Sequence, residues 1–231
     1  RVPYGNKSAE TIITYSRQIA HFLIKQDVKA IVIACNTASA LALETLKKEI
    51  SIPIIGVVKP GARAALKATK NKNIGIIGTE GTINSDIYTK YLKAKNPDVN
   101  VYKKACPLFV PLVEEGMLKD PVTDEMIRRY TKDLIDLDID SLVLGCTHYP
   151  LLRTAIHNIL GDDITLVNPA YETAISLNET LSKHSLLTSS TEANHVYYVS
   201  DGADKFKAFA NTILPCEVVE INDIHNIETY N

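Results

Sequence analysis

Two cysteines stand at the same kind of place in the sequence, where a short apolar run gives way to polar residues. The stretches "AIVIACNTASA" and "SLVLGCTHYP" contain Cys35 and Cys146, each followed by small polar residues and then by a pattern that predicts a helix. The segment between them has about the length of one small α/β domain. We interpret the pair as two thiols presented from equivalent positions in two related halves.

The neighbours of these thiols decide what chemistry they could do. Helix N-terminal N–H groups favour thiolate and are expected to lower both thiol pKa values. The hydroxyls and amide of Asn36, Thr37 and Thr147 could cap the helices or contact a ligand. A single Cys-His pair would suggest covalent acyl transfer, as in a hydrolase or amidase, whereas two facing thiols would suggest two bases on opposite sides of one carbon.

Each candidate also has a purely structural interpretation. A cysteine at a strand end often packs as a small hydrophobe, and His148 could cap the following helix rather than pass a proton. The repeated placement of Cys35 and Cys146 favours chemistry for these two. Cys106 and Cys216 have no polar neighbours of this kind, and we expect them to be packing residues.

Composition excludes several classes of function. The chain has 231 residues, 45% of them hydrophobic, and a net charge of −2 with interspersed signs. It can bury a sizeable core, but it has no basic stripe for nucleic acid and no apolar run of the roughly 20 residues that a membrane span needs. The cysteines lack metal-ligand spacing, so no metal is expected. Without a signal peptide, they are interpreted as reduced thiols in the cytoplasm.

Strand-like and helix-like segments alternate along the chain, which predicts an α/β fold with a mainly parallel sheet, or two such sheets, covered by helices. Ser8 is the candidate N-cap of the first helix, and the first strand is expected to be buried on both faces. The stretch "VVKPGA" (57–62) is interpreted as the crossing between the halves. Strands are predicted at residues 29–34, 52–58, 73–78, 140–145, 164–168 and 195–200, and helices at 8–26, 39–50, 125–137 and 172–184.

Five motifs together resemble those of the bacterial glutamate racemases, in the same order and at similar intervals over essentially the whole chain. The combination of Ala-Cys-Asn-Thr-Ala and Gly-Cys-Thr-His-Tyr-Pro is highly specific, because related amino-acid racemases carry variants of either one alone. The motifs are "PYG" (3–5), "ACNTASA" (34–40), "GTEGTINS" (78–85), "FVPLVEEG" (109–116) and "LGCTHYPLL" (144–152).

The resemblance implies two similar Rossmann-like or flavodoxin-like parallel-sheet domains, related by pseudo-twofold symmetry, with the active site in the cleft between them. Residues 1–57 and 172–231 would form the first domain and residues 58–171 the second. The implied activity is cofactor-independent interconversion of L- and D-glutamate, with neither pyridoxal phosphate nor metal. It would supply D-glutamate for peptidoglycan, in a cytoplasmic homodimer.

The resemblance also assigns roles to residues. Cys35 would take the α-proton from D-glutamate and Cys146 from L-glutamate, and we expect the two sulfur atoms about 6–8 Å apart across one cleft. Glu114 and His148 match the polar residues beside the thiols, although Glu114, like Glu115, could be a solvated helix residue. The positions that match substrate-binding residues are Pro3, Tyr4, Gly5, Asn36, Thr37, Thr79, Thr82 and Thr147; Thr79 and Thr82 could instead be N-caps.

The sequence leaves other functions open. An aspartate or hydantoin racemase would also use paired thiols, and an inactive domain could bind glutamate without turning it over. In the resembling family an Asp-Ser-Gly-x-Gly-Gly motif lies upstream of Pro-Tyr-Gly, whereas the printed sequence starts at Arg1. A chain without that segment would have a truncated first domain. It is expected to racemise poorly, because Cys35 would lack a carboxylate partner.

Overall fold

Helices and parallel strands alternate along the chain, and the α/β class is confirmed. The structure, a computed structural model, describes residues 1–230. Its helices are α1 (Ala9–Ile24), α2 (Asn36–Leu41), α3 (Leu43–Glu49), α4 (Val58–Ala68), α5 (Glu80–Asn84), α6 (Ile87–Lys95), α7 (Phe109–Glu114), α8 (Pro121–Ile135), α9 (Arg153–Leu160), α10 (Pro169–Lys183) and α11 (Ala203–Ile213). Its strands are β1 (Ile31–Ile33), β2 (Ile54–Gly56), β3 (Asn73–Gly78), β4 (Asn100–Ala105), β5 (Ser141–Gly145), β6 (Thr165–Val167), β7 (Tyr198–Val199) and β8 (Asn222–Asp223).

The largest sheet contains four parallel strands in the order β4-β3-β5-β6. Its central strand β5 alternates between two hydrophobic cores: Leu142 and Leu144 face the core around Phe109, and Val143 faces the core around Leu92. Because helices cover both faces, the strand is apolar at nearly every position and not only at every second one. The continuous run "SLVLG" is therefore what a doubly covered central strand requires.

The remaining strands form two small parallel sheets, β1-β2 and β7-β8. Ile31 of β1 packs into a third core with Ile12 of α1 and Leu46 of α3. Val32, on the other face of β1, is 38% exposed. The prediction that this strand is buried on both faces is therefore wrong, because its second face has no comparable cover among residues 1–230.

The strands separate along the boundaries expected from the sequence. β3 to β6 lie within residues 58–171, and the other four strands lie within 1–57 and 172–231. Helix α10 crosses this division, since it packs on α4 and also contacts β2 and β5. The domain boundaries stay a prediction. No helix in residues 1–230 has the length and apolar character needed to cross a membrane.

The stretch 57–62 includes the start of α4, where Pro60 is tolerated because the first-turn N–H groups have no intrahelical partner. Because β2 belongs to the β1-β2 sheet and α4 packs on β5 and β6, the chain passes from one sheet to the other at this stretch. Two local expectations need correction. The helix expected at 39–50 begins earlier and is divided into α2 and α3 at Ala42. The strand expected at 195–200 shortens to β7. In contrast, Ser8 caps α1 as predicted, with its hydroxyl accepting from the Thr11 N–H at 3.2 Å.

Strand register sets the position of the polar residues that follow the strands. Gly78 and Gly145 are paired neighbours at the carboxyl ends of β3 and β5. Thr79 and Cys146, the next residues along the chain, therefore emerge side by side at one edge of the sheet. This is the edge at which α/β proteins place their ligands.

Candidate active site

A cavity of about 260 Å³ lies at this edge, and residues from both groups of strands line it. Cys35 follows β1, Cys146 follows β5, and Glu114 is the last residue of α7. Every residue predicted for the site lines the cavity except Thr82. The predicted residues at its wall are Pro3, Tyr4, Gly5, Cys35, Asn36, Thr37, Thr79, Glu114, Cys146, Thr147 and His148.

Cys35 is the N-cap residue of α2 and keeps part of its surface on the cavity. Its sulfur accepts a hydrogen bond from the Ala38 N–H at 3.5 Å. The following residues Asn36 and Thr37 are almost fully buried, at 5% and 2% exposure. The first turn of α2 is thus held firmly and presents the thiol at its end.

Cys146 belongs to a chain of polar contacts that the sequence could not place. The Nδ1 atom of His148 lies 3.7 Å from Cys146 Sγ, and its Nε2 atom lies 3.2 Å from Glu114 Oε1. Thr147 Oγ1 is 3.4 Å from the same Nδ1 atom. Glu114 is thus not merely a solvated helix residue, because its carboxylate contacts the Nε2 atom of the His148 imidazole while the Nδ1 atom of the same ring faces the Cys146 thiol.

The expected lowering of the thiol pKa values is wrong. Burial raises the pKa of Cys35 although the N–H groups of Ala38 and Thr37 act in the opposite direction. Burial also raises the pKa of Cys146 from its ordinary 9.0 to about 11; the His148 N–H lowers it and the nearby Cys35 raises it. Desolvation of the thiolate outweighs the local N–H groups. Cys146 is followed by a 3-10 turn (Tyr149–Leu152), not directly by an α-helix.

Three threonine hydroxyls form a buried triangle beneath the cavity wall. Thr37 Oγ1 lies 2.7 Å from Thr79 Oγ1 and 3.2 Å from Thr82 Oγ1, and the last two are 3.1 Å apart. Thr79 also caps α5, so both of its expected roles have a structural basis. Thr82 stands behind the other two and does not line the cavity, which corrects its placement as a residue in contact with substrate.

The N-terminal loop closes one side of the cavity and lies against α5. The Gly81 N–H donates to the Gly5 carbonyl at 2.8 Å. A Cβ atom on Gly5 would lie 2.6 Å from Thr79 Cβ, so only glycine allows the loop to approach this closely. Tyr4 is half-buried, and burial is the main cause of its raised pKa.

Several lining residues were not selected from the sequence. Asn6 and Glu80 belong to or adjoin motifs quoted above, whereas Pro107 follows β4, a strand that the sequence did not reveal. The described lining contains no lysine or arginine. An anionic ligand would therefore be held by N–H and hydroxyl groups. Within residues 1–230 no cluster of three or more His, Cys, Asp or Glu side chains is arranged to hold a metal ion.

The two other cysteines differ from each other. Cys106 is completely buried among the apolar residues of the main core, as predicted, and burial raises its pKa. Cys216 is exposed, and its sulfur lies 3.8 Å from the Tyr197 hydroxyl oxygen. The expectation that Cys216 is a packing residue is therefore wrong.

Fold and site together define an α/β protein with two thiols on one small cavity at the carboxyl ends of parallel strands. The sequence profile of the Asp/Glu/Hydantoin racemase family matches residues 2–174. The chain therefore belongs to this family and is an amino-acid racemase, an isomerase.

Individual relatives agree with this assignment. The chain is 49% identical to a glutamate racemase from Geobacter metallireducens over 215 residues, which is 93% of this chain and 80% of the relative. A glutamate racemase from Sulfurihydrogenibium sp. is 43% identical, with 97% and 85% coverage.

Solved structures give the same result. Glutamate racemase isoform RacE1 from Bacillus anthracis superposes with a TM-score of 0.93 at 37% identity, covering 97% of this chain and 84% of that one. Glutamate racemase from Francisella tularensis in complex with D-glutamate has a TM-score of 0.91 at 35% identity, covering 100% and 86%.

Proposed function

We propose that the chain interconverts L- and D-glutamate by a two-base mechanism in which Cys35 and Cys146 are the two bases. The observation that carries this proposal is that the two thiols come from different sheets and line one cavity. A single Cys-His hydrolase would have no use for the second thiol. The glutamate racemases to which the chain is similar, one of them bound to D-glutamate, support glutamate as the substrate.

The proton balance closes without a third reactant. In the L-to-D direction the Cys146 thiolate takes the α-proton, and its C–H electron pair stays on the substrate as a carbanion delocalised into the carboxylate. The Cys35 thiol then donates its proton to the opposite face, so that configuration inverts. Cys146 ends as thiol and Cys35 as thiolate, which is the state needed for the reverse reaction.

His148 and Glu114 are arranged to help deprotonate Cys146, whose raised pKa disfavours the thiolate that the reaction needs. A thiol with a pKa of about 11 is almost entirely protonated near neutral pH. The imidazole Nδ1 atom, 3.7 Å from the sulfur, is placed to accept the thiol proton. The Glu114 carboxylate on Nε2 then stabilises the imidazolium that results.

Substrate binding in this proposal relies on neutral groups. The hydroxyls of Thr37, Thr79 and Thr147 and the amide of Asn36 surround the cavity without a lysine or arginine among the described lining residues. Fixed dipoles in a partly dry cavity stabilise developing negative charge without reorganising during the reaction. The proton transfer uses no pyridoxal phosphate and no metal.

The biological setting follows from the same proposal. We place the enzyme in the cytoplasm, where thiol bases stay reduced and where D-glutamate would enter peptidoglycan synthesis. We also propose a homodimer, which sedimentation equilibrium would show as twice the 25.5 kDa chain mass. A sedimenting mass equal to one chain across the working concentration range would contradict the dimer alone.

Removal of each thiol in turn tests the mechanism. Cys35→Ala and Cys146→Ala should each lower racemisation by at least about a thousandfold, since one base is then missing. In heavy water, Cys35→Ala should still exchange the α-proton of L-glutamate, and Cys146→Ala that of D-glutamate. Cys216→Ala, at an exposed thiol that does not line the cavity, is the matched control and should keep its activity.

The same assay separates the alternatives. Racemisation that survives either single substitution would disprove the two-base mechanism. Faster exchange with aspartate than with glutamate would instead indicate an aspartate racemase, and glutamate binding without any exchange would indicate a binding domain.

A further inference from the structure

A buried hydrogen bond connects the cavity wall to helix α6, which does not itself line the cavity. The Tyr88 hydroxyl on α6 lies 2.7 Å from Asn36 Oδ1. Tyr88 is 2% exposed and Asn36 is 5% exposed, so water cannot readily replace either partner. Asn36 directly follows Cys35 and lines the cavity, whereas Tyr88 does not line it.

We propose that Tyr88 is a positioning residue for racemisation: it engages the carbonyl end of the Asn36 amide, so that the NH₂ end faces the cavity and donates to a substrate carboxylate. This inference rests on the proposed function, because it assigns a role to the same site. Tyr88 acts through Asn36 and does not itself touch the substrate.

The direction of the amide follows from the need to satisfy the tyrosine proton. Burial raises the pKa of Tyr88 well above its ordinary value, so the hydroxyl keeps its proton and must donate it. No other acceptor for this hydroxyl is present among residues 1–230. If the amide were reversed, the Asn36 NH₂ would face the hydroxyl and the tyrosine proton would have no acceptor, which costs about 1–3 kcal/mol.

The hydroxyl of Tyr88 is held in place by tight packing around it. A Cβ atom on Gly61 would lie 2.9 Å from the Tyr88 oxygen and 3.0 Å from Pro169 Cγ. Gly61 lies in the first turn of α4, within the stretch 57–62 that the sequence analysis interpreted as the crossing between the halves. Because Gly61 has no side chain, it leaves the space in which the Tyr88 hydroxyl lies when it bonds to Asn36.

The consequence is chemical selectivity at one point of the cavity. With Oδ1 turned toward Tyr88, Asn36 presents its NH₂ group to the cavity, and its Nδ2 atom donates to no described protein group. Such an amide matches a carboxylate oxygen and does not match the substrate ammonium, which has only protons to offer. Tyr88 therefore determines which group of glutamate can lie against Asn36.

A double-mutant cycle on kcat/KM tests the proposal. Tyr88→Phe should raise the KM for glutamate about tenfold with a smaller change in kcat, because without the hydroxyl the amide can also bind with its carbonyl oxygen toward the cavity. Asn36→Ala should lower kcat/KM by itself. In the Asn36→Ala background, Tyr88→Phe should change kcat/KM by less than about twofold.

Tyr149→Phe is the matched control for loss of a buried tyrosine hydroxyl. Tyr149 is 0% exposed and donates to the Cys106 carbonyl at 2.8 Å, not to Asn36. Its effect on kcat/KM should be the same in the wild-type and Asn36→Ala backgrounds. If Tyr88→Phe also costs the same in both backgrounds, its role is merely structural and the proposal is overturned.

The cycle separates this proposal from the proposed function. If the wild-type chain turns over glutamate and the cycle is additive, only the role of Tyr88 fails. If the wild-type chain shows no turnover, the proposed function fails, and the same cycle is measured with D-glutamate binding by calorimetry. Non-additive binding energies would then support the positioning role, and additive energies or absence of binding would overturn it.

Discussion

Glu114 shows how one side chain gains meaning from a partner distant in sequence. Its carboxylate lies 3.2 Å from His148 Nε2, and the other ring nitrogen faces the Cys146 sulfur. The adjacent Glu115 is exposed and has no such contact among the described residues. Two neighbouring glutamates of one sequence motif therefore have different chemical surroundings.

This difference leads to a prediction about Glu114→Gln. The glutamine keeps a polar contact to the imidazole but loses the charge that stabilises imidazolium, so kcat/KM should fall roughly ten- to a hundredfold. The value of kcat/KM must fall by the same factor for L-glutamate and for D-glutamate, because the two enantiomers have identical free energies and the equilibrium constant between them is therefore unity. Steady-state rates followed by circular dichroism measure it.

Glu115→Gln is the matched control and should stay within about twofold of wild type. The effect of Glu114→Gln on α-proton exchange should also differ between the two enantiomers of glutamate. In the Cys35→Ala background it should suppress α-proton exchange from L-glutamate, whereas in the Cys146→Ala background exchange from D-glutamate should persist. Equal kinetics for both glutamine variants would remove Glu114 from the mechanism.

At the scale of elements, the first turns of two short helices are locked to each other. Helices α2 and α5 begin beside the cavity, and the Thr37, Thr79 and Thr82 hydroxyls join them. Hydroxyls in such a triangle can each act as donor or acceptor. Thr82 does not line the cavity, but its hydroxyl sets the orientation of the Thr37 and Thr79 hydroxyls, which belong to residues that do.

Thr82→Val should therefore impair binding from behind the cavity wall. Valine has nearly the same shape but removes contacts of 3.1 and 3.2 Å to the other two hydroxyls. We expect KM for glutamate to rise about three- to tenfold and the free energy of unfolding to fall by about 1–3 kcal/mol. Initial rates and urea denaturation measure the two effects.

Thr131→Val provides the comparison for a buried threonine with no link to the site. Thr131 is 0% exposed and donates to the Ile127 carbonyl of its own helix at 2.8 Å. It should lose stability at most and keep its KM. If the two valine variants have the same KM, the hydroxyl triangle does not organise the cavity.

At the scale of the whole molecule, several thiol and phenol groups are buried in the protonated form. Burial raises the pKa of Cys146 from 9.0 to about 11, and it also raises the pKa values of Cys106, Tyr88 and Tyr149. At a pH between the pKa of a group in the unfolded chain and its raised pKa in the folded chain, the folded chain keeps a proton that the unfolded chain has lost. Unfolding at such a pH therefore releases protons. By linkage, the free energy of unfolding must fall there.

The alkaline loss of stability is a prediction with a definite sign. The contribution of Cys146 is fully present below about pH 9 and falls by roughly 2–3 kcal/mol as the pH approaches 11. Urea denaturation at pH 8 and near pH 11 measures it. Cys146→Ser should lessen the fall, and Cys216→Ser, at an exposed thiol, should not. An unchanged fall in Cys146→Ser would mean that this thiol is not desolvated.

Sequence patterns predicted the elements whose signals are local. Strand β3 was predicted at its observed bounds, and α1, α8 and α10 near theirs, because aliphatic runs and helical periodicity reflect burial by near neighbours. Strand β4 was missed because it pairs only with β3 and carries lysines at two of its positions, the exposed Lys103 and the half-buried Lys104. An edge strand of this kind has no continuous apolar run to reveal it.

The sequence alone determined that two thiols end apolar strands, that hydroxyls follow them, and that glutamate-racemase motifs surround both. Only the tertiary structure decided that Glu114 meets His148, that Tyr88 engages Asn36, and that Thr82 stands behind the cavity. It also decided the thiol pKa values, since burial outweighs the adjacent N–H groups. The physical reason is range: caps and periodicity depend on residues a few positions away, whereas desolvation and side-chain pairing depend on what the fold brings from afar.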